Sequence, residues 1–285
     1  MTVLFGEFSG RQRTVKVESN SATPLVVAIH GGSYTSAYFD VAGHSLLERA
    51  ASNHIPIIAL DRPGYGSTPI LAEDEAGIWG QARYLTQALK KAWTEFGAGT
   101  RGMVLIGHSI GGAIAAAIAS EPDGLPLLGL AVSGVGLHTP TGHGPMWNAL
   151  PKQPHADLPA EVKDKFMFGP DGSFDPESQA SSHQADAPAV RAELIDIVGS
   201  WNEQVLDVLG KINVPVHYRQ ADGDHLWIVS EDEVQGFARA LTHSPRVDAD
   251  LMRGSGHCMD FHTVGRALHL QQLGFALQCA AETAT

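Results

Sequence analysis

The chain has 285 residues, and 19 Lys plus Arg stand against 31 Asp plus Glu, a formal net charge of −12. With 44% hydrophobic and 18% charged residues it is too apolar for a disordered chain. The negative charge argues against nucleic acid and anionic membranes as partners, and two cysteines, Cys258 and Cys279, are too few for a disulfide framework.

No stretch reaches about 18 uninterrupted apolar residues. The nearest, Ile110 to Ala119, runs into Ser120, Glu121 and Pro122. Met1 to Gly10 carries no basic cluster followed by an apolar run, so no leader is expected and the expected location is cytoplasmic. A chain of this length can close a full core as one α/β domain.

The first segment alternates. Val3 and Phe5, then Val15 and Val17, flank Ser9-Gly10-Arg11, which predicts an opening hairpin with its turn there. Leu25-Val26-Val27-Ala28-Ile29 is a continuous apolar run ending in His30-Gly31-Gly32, the pattern of a strand covered on both faces. Phe39 to Ala51 has helical spacing, and Ile55 to Leu60 is another buried strand, stopped by Asp61-Arg62-Pro63-Gly64-Tyr65-Gly66. Ile78 to Phe96 predicts a long amphipathic helix with Leu85, Leu89, Ala92 and Phe96 on one side. Met103 to Ile106 is a strand, Gly107 to Ser120 a turn and then a helix, and Leu127 to Val132 the next strand.

This β-α-β-α repetition predicts a mostly parallel sheet flanked by helices. The pattern breaks after Val135. Residues 137–210 are rich in His, Pro, Gly and Asp, with helical patches at Glu161 to Phe168 and Val190 to Val198. They read as a helical cap inserted in a core made of residues 1–136 and 211–285. A strand at Val214 to Arg219, a helix at Glu231 to Leu241, a strand at Val247 to Met252 and a last helix from about Cys258 to Ala281 complete the chain.

Gly107-His108-Ser109-Ile110-Gly111 fits G-x-S-x-G, with the strand before it and the helix after it that this turn requires. Small residues two before and two after let strand and helix approach, so that Ser109 stands exposed above the sheet. The helix beneath contributes free N–H groups and the positive end of its dipole. In this context the sequence resembles the α/β-hydrolase superfamily over nearly the whole chain outside the insertion. His30-Gly31-Gly32-Ser33, Asp61-Arg62-Pro63-Gly64-Tyr65-Gly66 and Gly254-Ser255-Gly256-His257 fall in that family's order around the elbow.

The resemblance implies a nucleophile, Ser109, that needs a base and an orienting acid. His257, on a Gly-flanked turn after the last strand, is the expected base. The acid is expected on the loop Ala221-Asp222-Gly223-Asp224-His225. Family members place it about nine residues after the proline opening this strand; from Pro215 that reaches Asp224, with Asp222 as the alternative and otherwise a turn cap. The oxyanion donors are expected to be the N–H groups of Ile110 and Gly32, with Ser33 as the alternative to Gly32. His108 is expected to point away from the Ser109 cleft, and His30 to pack beneath the His-Gly-Gly loop.

Met146, Trp147, Phe166, Met167, Phe168 and Trp201 read as cap-packing residues, some lining an apolar pocket. Trp147, Trp227 and Ser33 are the candidate substrate-binding residues. His138, His143, His155 and His183 lack a tight ligand spacing, so no metal is expected, and the triad chemistry needs no cofactor. The expected partner is a small-molecule substrate, bound by a monomer or homodimer, without nucleic acid or membrane. The expected reaction is cleavage of an ester-like or other carbonyl bond through an acyl-enzyme. A lyase or carbon–carbon-bond hydrolase using the triad as a base, and a non-catalytic binding protein on this fold, are the alternatives.

Overall fold

The computed structural model describes residues 2–15, 17 and 22–283. β1 (Thr2–Phe5) and β2 (Phe8–Arg13) form the opening hairpin. Its turn is at Gly6 and Glu7, not at Ser9-Gly10-Arg11. Gly6 supplies the left-handed conformation, φ 66°, that the tight turn needs. Gly10 lies within β2, opposite Leu60 of the neighbouring strand. Lys16, at the end of the segment read as the second strand of the hairpin, is outside the described residues.

Then follow β3 (Leu25–Ile29), a 3₁₀ turn at Ser36–Asp40, α1 (Leu46–Ser52), β4 (Ile57–Leu60), α2 (Ile78–Phe96), β5 (Met103–His108), α3 (Ile110–Ser120) and β6 (Leu127–Ser133). The helical period of Phe39 to Ala51 is thus divided. Gly43 takes φ 80°, and Ser45 restarts the chain as an N-cap whose Oγ accepts from Glu48 N–H at 2.9 Å. Next come α4 (His143–Asn148), β7 (His155–Ala156), α5 (Ala160–Met167), α6 (Pro176–Ser182), β8 (Ala189–Val190), α7 (Arg191–Val198) and α8 (Ser200–Lys211). β9 (Val216–Ala221), α9 (Glu231–Ala240), β10 (Val247–Met252), a 3₁₀ turn at Met259–Phe261 and α10 (Gly265–Glu282) end the fold. The single helix expected from Cys258 is therefore a short turn and then a helix.

The eight-stranded sheet runs β1-β2-β4-β3-β5-β6-β9-β10. The pairings β1/β2 and β2/β4 are antiparallel, and all the others are parallel. Because strand side chains alternate, Leu25, Val27 and Ile29 of β3 enter one core and Val26 and Ala28 the other. The first core holds α2, α3, α8 and α9, through residues such as Leu85, Ile114, Leu209 and Phe237. The second holds α1 and α10, through Leu46, Leu47, Phe275 and Ala276. So α8, within the span set apart by composition, packs in the helical layer of the sheet, whereas α4, α5 and α7 border the cavities beside Ser109. No helix among the described residues is long and apolar enough to cross a membrane.

The carboxyl ends of parallel strands are where open α/β sheets gather ligands. Here the loops after β3, β5, β9 and β10 meet at that edge. The closest approach is between β3 and the first turn of α3. A Cβ on Gly111 would overlap the backbone oxygens of Ile29 and His30, and backbone cannot move aside as a side chain can. Gly111→Ala should therefore lower unfolding stability by about 3 kcal/mol in a urea titration. Gly142→Ala, with nothing near its Cβ, should change it by less than about 0.5 kcal/mol. Equal values for the two would mean that the contact between strand and helix can yield.

Candidate active site

Ser109 joins β5 to α3 with φ 55° and ψ −127°, a conformation that costs a non-glycine residue roughly 1–3 kcal/mol. Neighbouring backbone fixes it. Ser109 N–H donates to Ser133 O at 2.8 Å, while Gly112 and Ala113 N–H donate to Ser109 O at 2.7 and 3.1 Å. The loop after β3 lies directly against it; a Cβ on Gly31 would be 2.9 Å from Ser109 Cβ.

His257, on the loop after β10, places Nε2 2.8 Å from Ser109 Oγ and Nδ1 2.7 Å from Asp224 Oδ2. Asp224 comes from the loop after β9. Its Oδ2 also accepts from Gln220 Nε2 at 2.9 Å, and its Oδ1 from Leu226 N–H at 2.8 Å. Asp222 faces elsewhere: its Oδ1 accepts from Gly254 and Ser255 N–H at 2.8 and 3.2 Å, tying the acid loop to the loop that carries His257. All three of Ser109, Asp224 and His257 are buried.

Two cavities flank Ser109. The larger, about 230 Å³, is bordered by Gly32, Ser33 and Ile110 and by apolar side chains of α4 and α5 such as Trp147 and Phe166. The smaller, about 40 Å³, is bordered by His143, Ile197 and Trp227. Trp147, Leu194 and Leu226 border both. Trp227 is anchored by its Nε1–H to Gly134 O at 2.9 Å. A Cβ on Gly134 would be 3.3 Å from His257 Cε1, so the backbone that anchors Trp227 adjoins the imidazole. Ile110 opens α3, so its N–H has no carbonyl a turn earlier in the helix to bond.

Residues 26–265 match the model of the alpha/beta hydrolase family. The chain belongs to that family. No curated protein sequence matches this hydrolase. Among solved structures, the malate-bound esterase of Thermogutta terrifontis aligns with TM-score 0.69 at 17% identity, covering 98% of this chain and 96% of that one. A lipase-esterase related protein from Clostridium acetobutylicum gives 0.67 at 14%, over 93% and 99%. The monoacylglycerol lipase of Paleococcus ferrophilus gives 0.65 at 16%, over 96% and 99%. At these identities the likeness is one of fold.

The hydrolase holds its His30–Ser33 loop with groups that sequence reasoning missed. Arg62, wholly buried, uses all five of its N–H donors. Nε donates to His30 O at 2.8 Å and Nη2 to Gly31 O at 3.0 Å. Nη1 reaches Gln81 Oε1 at 2.7 Å, and the two Nη groups clasp Glu193 of α7 at 2.5 and 2.9 Å. Tyr65 Oη donates to Glu193 Oε1 at 2.5 Å and accepts from Ser33 N–H at 3.3 Å. Burial opposes the Arg62 charge, but Glu193 more than offsets it, and the guanidinium is held more firmly protonated than usual. In a trans peptide the carbonyl and the next N–H point opposite ways, so anchoring Gly31 O on Arg62 turns the Gly32 N–H away from Arg62. The signal was faint but present: Glu193 shares a helical face with Ile197, a buried residue four positions on.

The remaining candidates divide clearly. His108 stacks on Tyr38 with ring centroids 4.8 Å apart, and burial, with His257 adding to it, pulls its pKa down to about 3. His30 Nδ1 donates to Gly31 O at 2.8 Å, leaving Nε2 to accept from Arg62 N–H at 3.2 Å. Burial and then Arg62 hold His30 well below its usual value. Burial pushes the Cys258 thiol up to about 12, so it is not a thiolate. Lys163 was also missed. It borders the larger cavity, is paired with Asp186, and lies 3.6 Å above the Tyr34 ring. Among the described residues no group of three His, Cys, Asp or Glu is placed to hold a metal.

Glu193→Gln strands the Arg62 charge and should lower stability by about 3–5 kcal/mol in urea titrations; a normal midpoint would mean that Arg62 finds another counter-charge. His30, His108 and His217 are held below their ordinary 6.5 chiefly by burial, His217 at about 4. Below pH 6.5 the unfolded chain therefore binds protons that the folded chain refuses, and stability falls as pH drops from 6.5 towards 4. The slope should be about 1 kcal/mol per pH unit for each such ring. Urea titrations from pH 7.5 to 4.5 measure it, and a flat profile would contradict the burial of neutral rings.

Proposed function

We propose that the protein is an esterase-like serine hydrolase in which Ser109 attacks a carbonyl carbon, His257 moves the proton and Asp224 orients the imidazole. The observation that carries this reading is the unbroken line of contacts Ser109 Oγ, His257 Nε2, His257 Nδ1 and Asp224 Oδ2, at 2.8 and 2.7 Å. Asp224 accepts from Nδ1–H, which fixes the tautomer that leaves Nε2 free to take the Ser109 proton. As Ser109 Oγ bonds to the carbonyl carbon, negative charge moves to the carbonyl oxygen. The N–H groups of Ile110 and Gly32 receive it. Ser33 N–H is already given to Tyr65, which favours Gly32 as the second donor. The imidazolium returns its proton to the leaving oxygen, the bond to that oxygen breaks, and an acyl-Ser109 remains. Water, deprotonated by His257, then releases the acid.

The cavities suggest how a substrate is seated. A leaving group must face His257 to be protonated, which assigns it to the small cavity beside Trp227. The acyl part then occupies the larger, mostly apolar cavity beneath α4 and α5. The neighbouring structures described as esterases and lipases are consistent with an ester as the bond cleaved.

A fluorophosphonate probe should label the wild-type protein at Ser109 and leave Ser109→Ala unlabelled, whereas a non-catalytic binding protein would not label at all. Asp224→Asn should cut turnover by a factor on the order of 10³–10⁴, because an amide can present a donor to Nδ1. Asp222→Asn should cost far less, since Asp222 only braces two loops. Both are measured on one methyl ester at neutral pH. The reverse ranking would move the acid to Asp222, and near-normal turnover in both would remove the proposed triad.

A further inference from the structure

His262 follows the 3₁₀ turn at Met259–Phe261, five residues after His257, and its ring is buried. Nδ1 is 2.9 Å from Cys258 O, and Nε2 is 3.0 Å from Gly256 N. A carbonyl only accepts and an amide N–H only donates, so Nδ1–H donates to Cys258 and Nε2 accepts from Gly256. Gly169 N–H, just beyond α5, adds a second donor to Nε2 at 3.4 Å. Nε2 also stands 3.1 Å from Gly169 O, a contact that only a second ring proton could turn into a hydrogen bond. Burial opposes that proton, as does His257, and holds the ring below its ordinary 6.5, although Asp260 and the carbonyls of Cys258 and Gly169 favour it. One imidazole in one tautomer thus bonds the first and the last residue of Gly256-His257-Cys258. The end of α5 lies against the same three residues. Cys258 N–H donates to Met167 O at 2.9 Å, and a Cβ on Gly256 would be 2.8 Å from Gly169 O.

We infer that His262 is a positioning residue for the proposed reaction: it closes the three-residue segment around His257 and so holds His257 Nε2 in line with Ser109 Oγ. This rests on the serine hydrolase reading for what His257 does. With both ends of the segment bonded to one rigid ring, the backbone dihedrals of His257 have little freedom, and those dihedrals aim its imidazole. His262 borders neither of the two cavities beside Ser109. What it governs is therefore the alignment of the base and not the seating of a substrate. In histidine Nδ1 is one bond from Cγ and Nε2 two. Glutamine has polar atoms only at the outer of these distances, so it keeps an acceptor for Gly256 and loses the donor to Cys258. Leucine loses both. Phe174 packs edge-on against the same ring, with centroids 5.5 Å apart, and its hydrocarbon side chain makes no hydrogen bond to the segment.

On one methyl ester at neutral pH, His262→Leu should lower kcat and kcat/KM equally, by about 10²-fold, with KM nearly unchanged. His262→Gln should fall between the wild type and His262→Leu. Phe174→Leu loosens the same packing without removing a bond to the segment, and should keep kcat within about twofold of the wild type. Urea titrations check that each variant is folded; if His262→Leu is not, His262→Gln against Phe174→Leu makes the comparison. A kcat unaffected by the His262 substitutions overturns the inference, and so does a loss that appears in KM alone or one that Phe174→Leu matches. The imidazole is also read directly. The Nδ1–H proton of His257, bonded to Asp224, should give a low-field NMR signal, assigned by its absence from His257→Gln. That proton should exchange with water faster in His262→Gln than in Phe174→Leu, and equal exchange in the two overturns the inference. Absence of turnover and of fluorophosphonate labelling in the wild type would defeat the hydrolase mechanism, while the exchange rates would still decide the role of His262.

Discussion

A guanidinium and a carboxylate without solvent contact hold three distant parts of the chain together. Arg62 comes from the loop after β4, Glu193 from α7, and the carbonyls between them from the loop after β3. Removing two charges from water is costly, and such a pair survives only where the remaining donors and acceptors are also met. Here they are. Five donors of Arg62 and four hydrogen bonds to Glu193 are accounted for by His30, Gly31, Gln81, Tyr65 and each other. The price is a network with little tolerance, since any missing member leaves a buried polar group alone. The orientation of the loop beside Ser109 follows from that network together with the loop's own His30 and Gly31.

The sheet supplies the second constraint. Its central strands are continuous apolar runs because both faces are covered, and their ends bring together loops that are far apart in sequence. Ser109 is held by a steric argument, with glycine where strand, helix and the His30 loop come closest. Asp224 is held by hydrogen bonds from Gln220 and Leu226 and in turn holds His257, and Asp222 joins their loops without touching the imidazole. The geometry is thus built from backbone that has little freedom, which is what a site with fixed donors and acceptors requires.

Features encoded locally were readable in the sequence. The strand, turn and helix around Ser109 lie within 18 residues of one another and carry their own period and glycines, and α2 was legible from its apolar stripe alone. The order of the His30, Asp224 and His257 loops was readable through the family resemblance. Features that depend on partners far along the chain were not. Nothing near Arg62 announces Glu193, 131 positions away, and a lysine within a short helical patch does not reveal that it will be buried over Tyr34. Local errors had local causes. Gly10 looked like a turn residue but lies inside β2, and the apolar period through Phe39 to Ala51 continues across Gly43 although the helix does not.

Adjacent residues of α7 have different duties: Glu193 clasps Arg62, and Leu194 borders both cavities. Swinging α7 outward would therefore pull a buried charge from its partner before it admitted a substrate. The covering segment divides into a fixed part and an adaptable part. α5 is tied to the same loop through buried Lys163, which pairs with Asp186 and donates to Ser33 O at 3.3 Å, whereas α4 meets the larger cavity through Met146 and Trp147 with no ion pair among the described residues. Variation in substrate size can accumulate on α4 while α5 and α7 keep the loop beside the nucleophile in register.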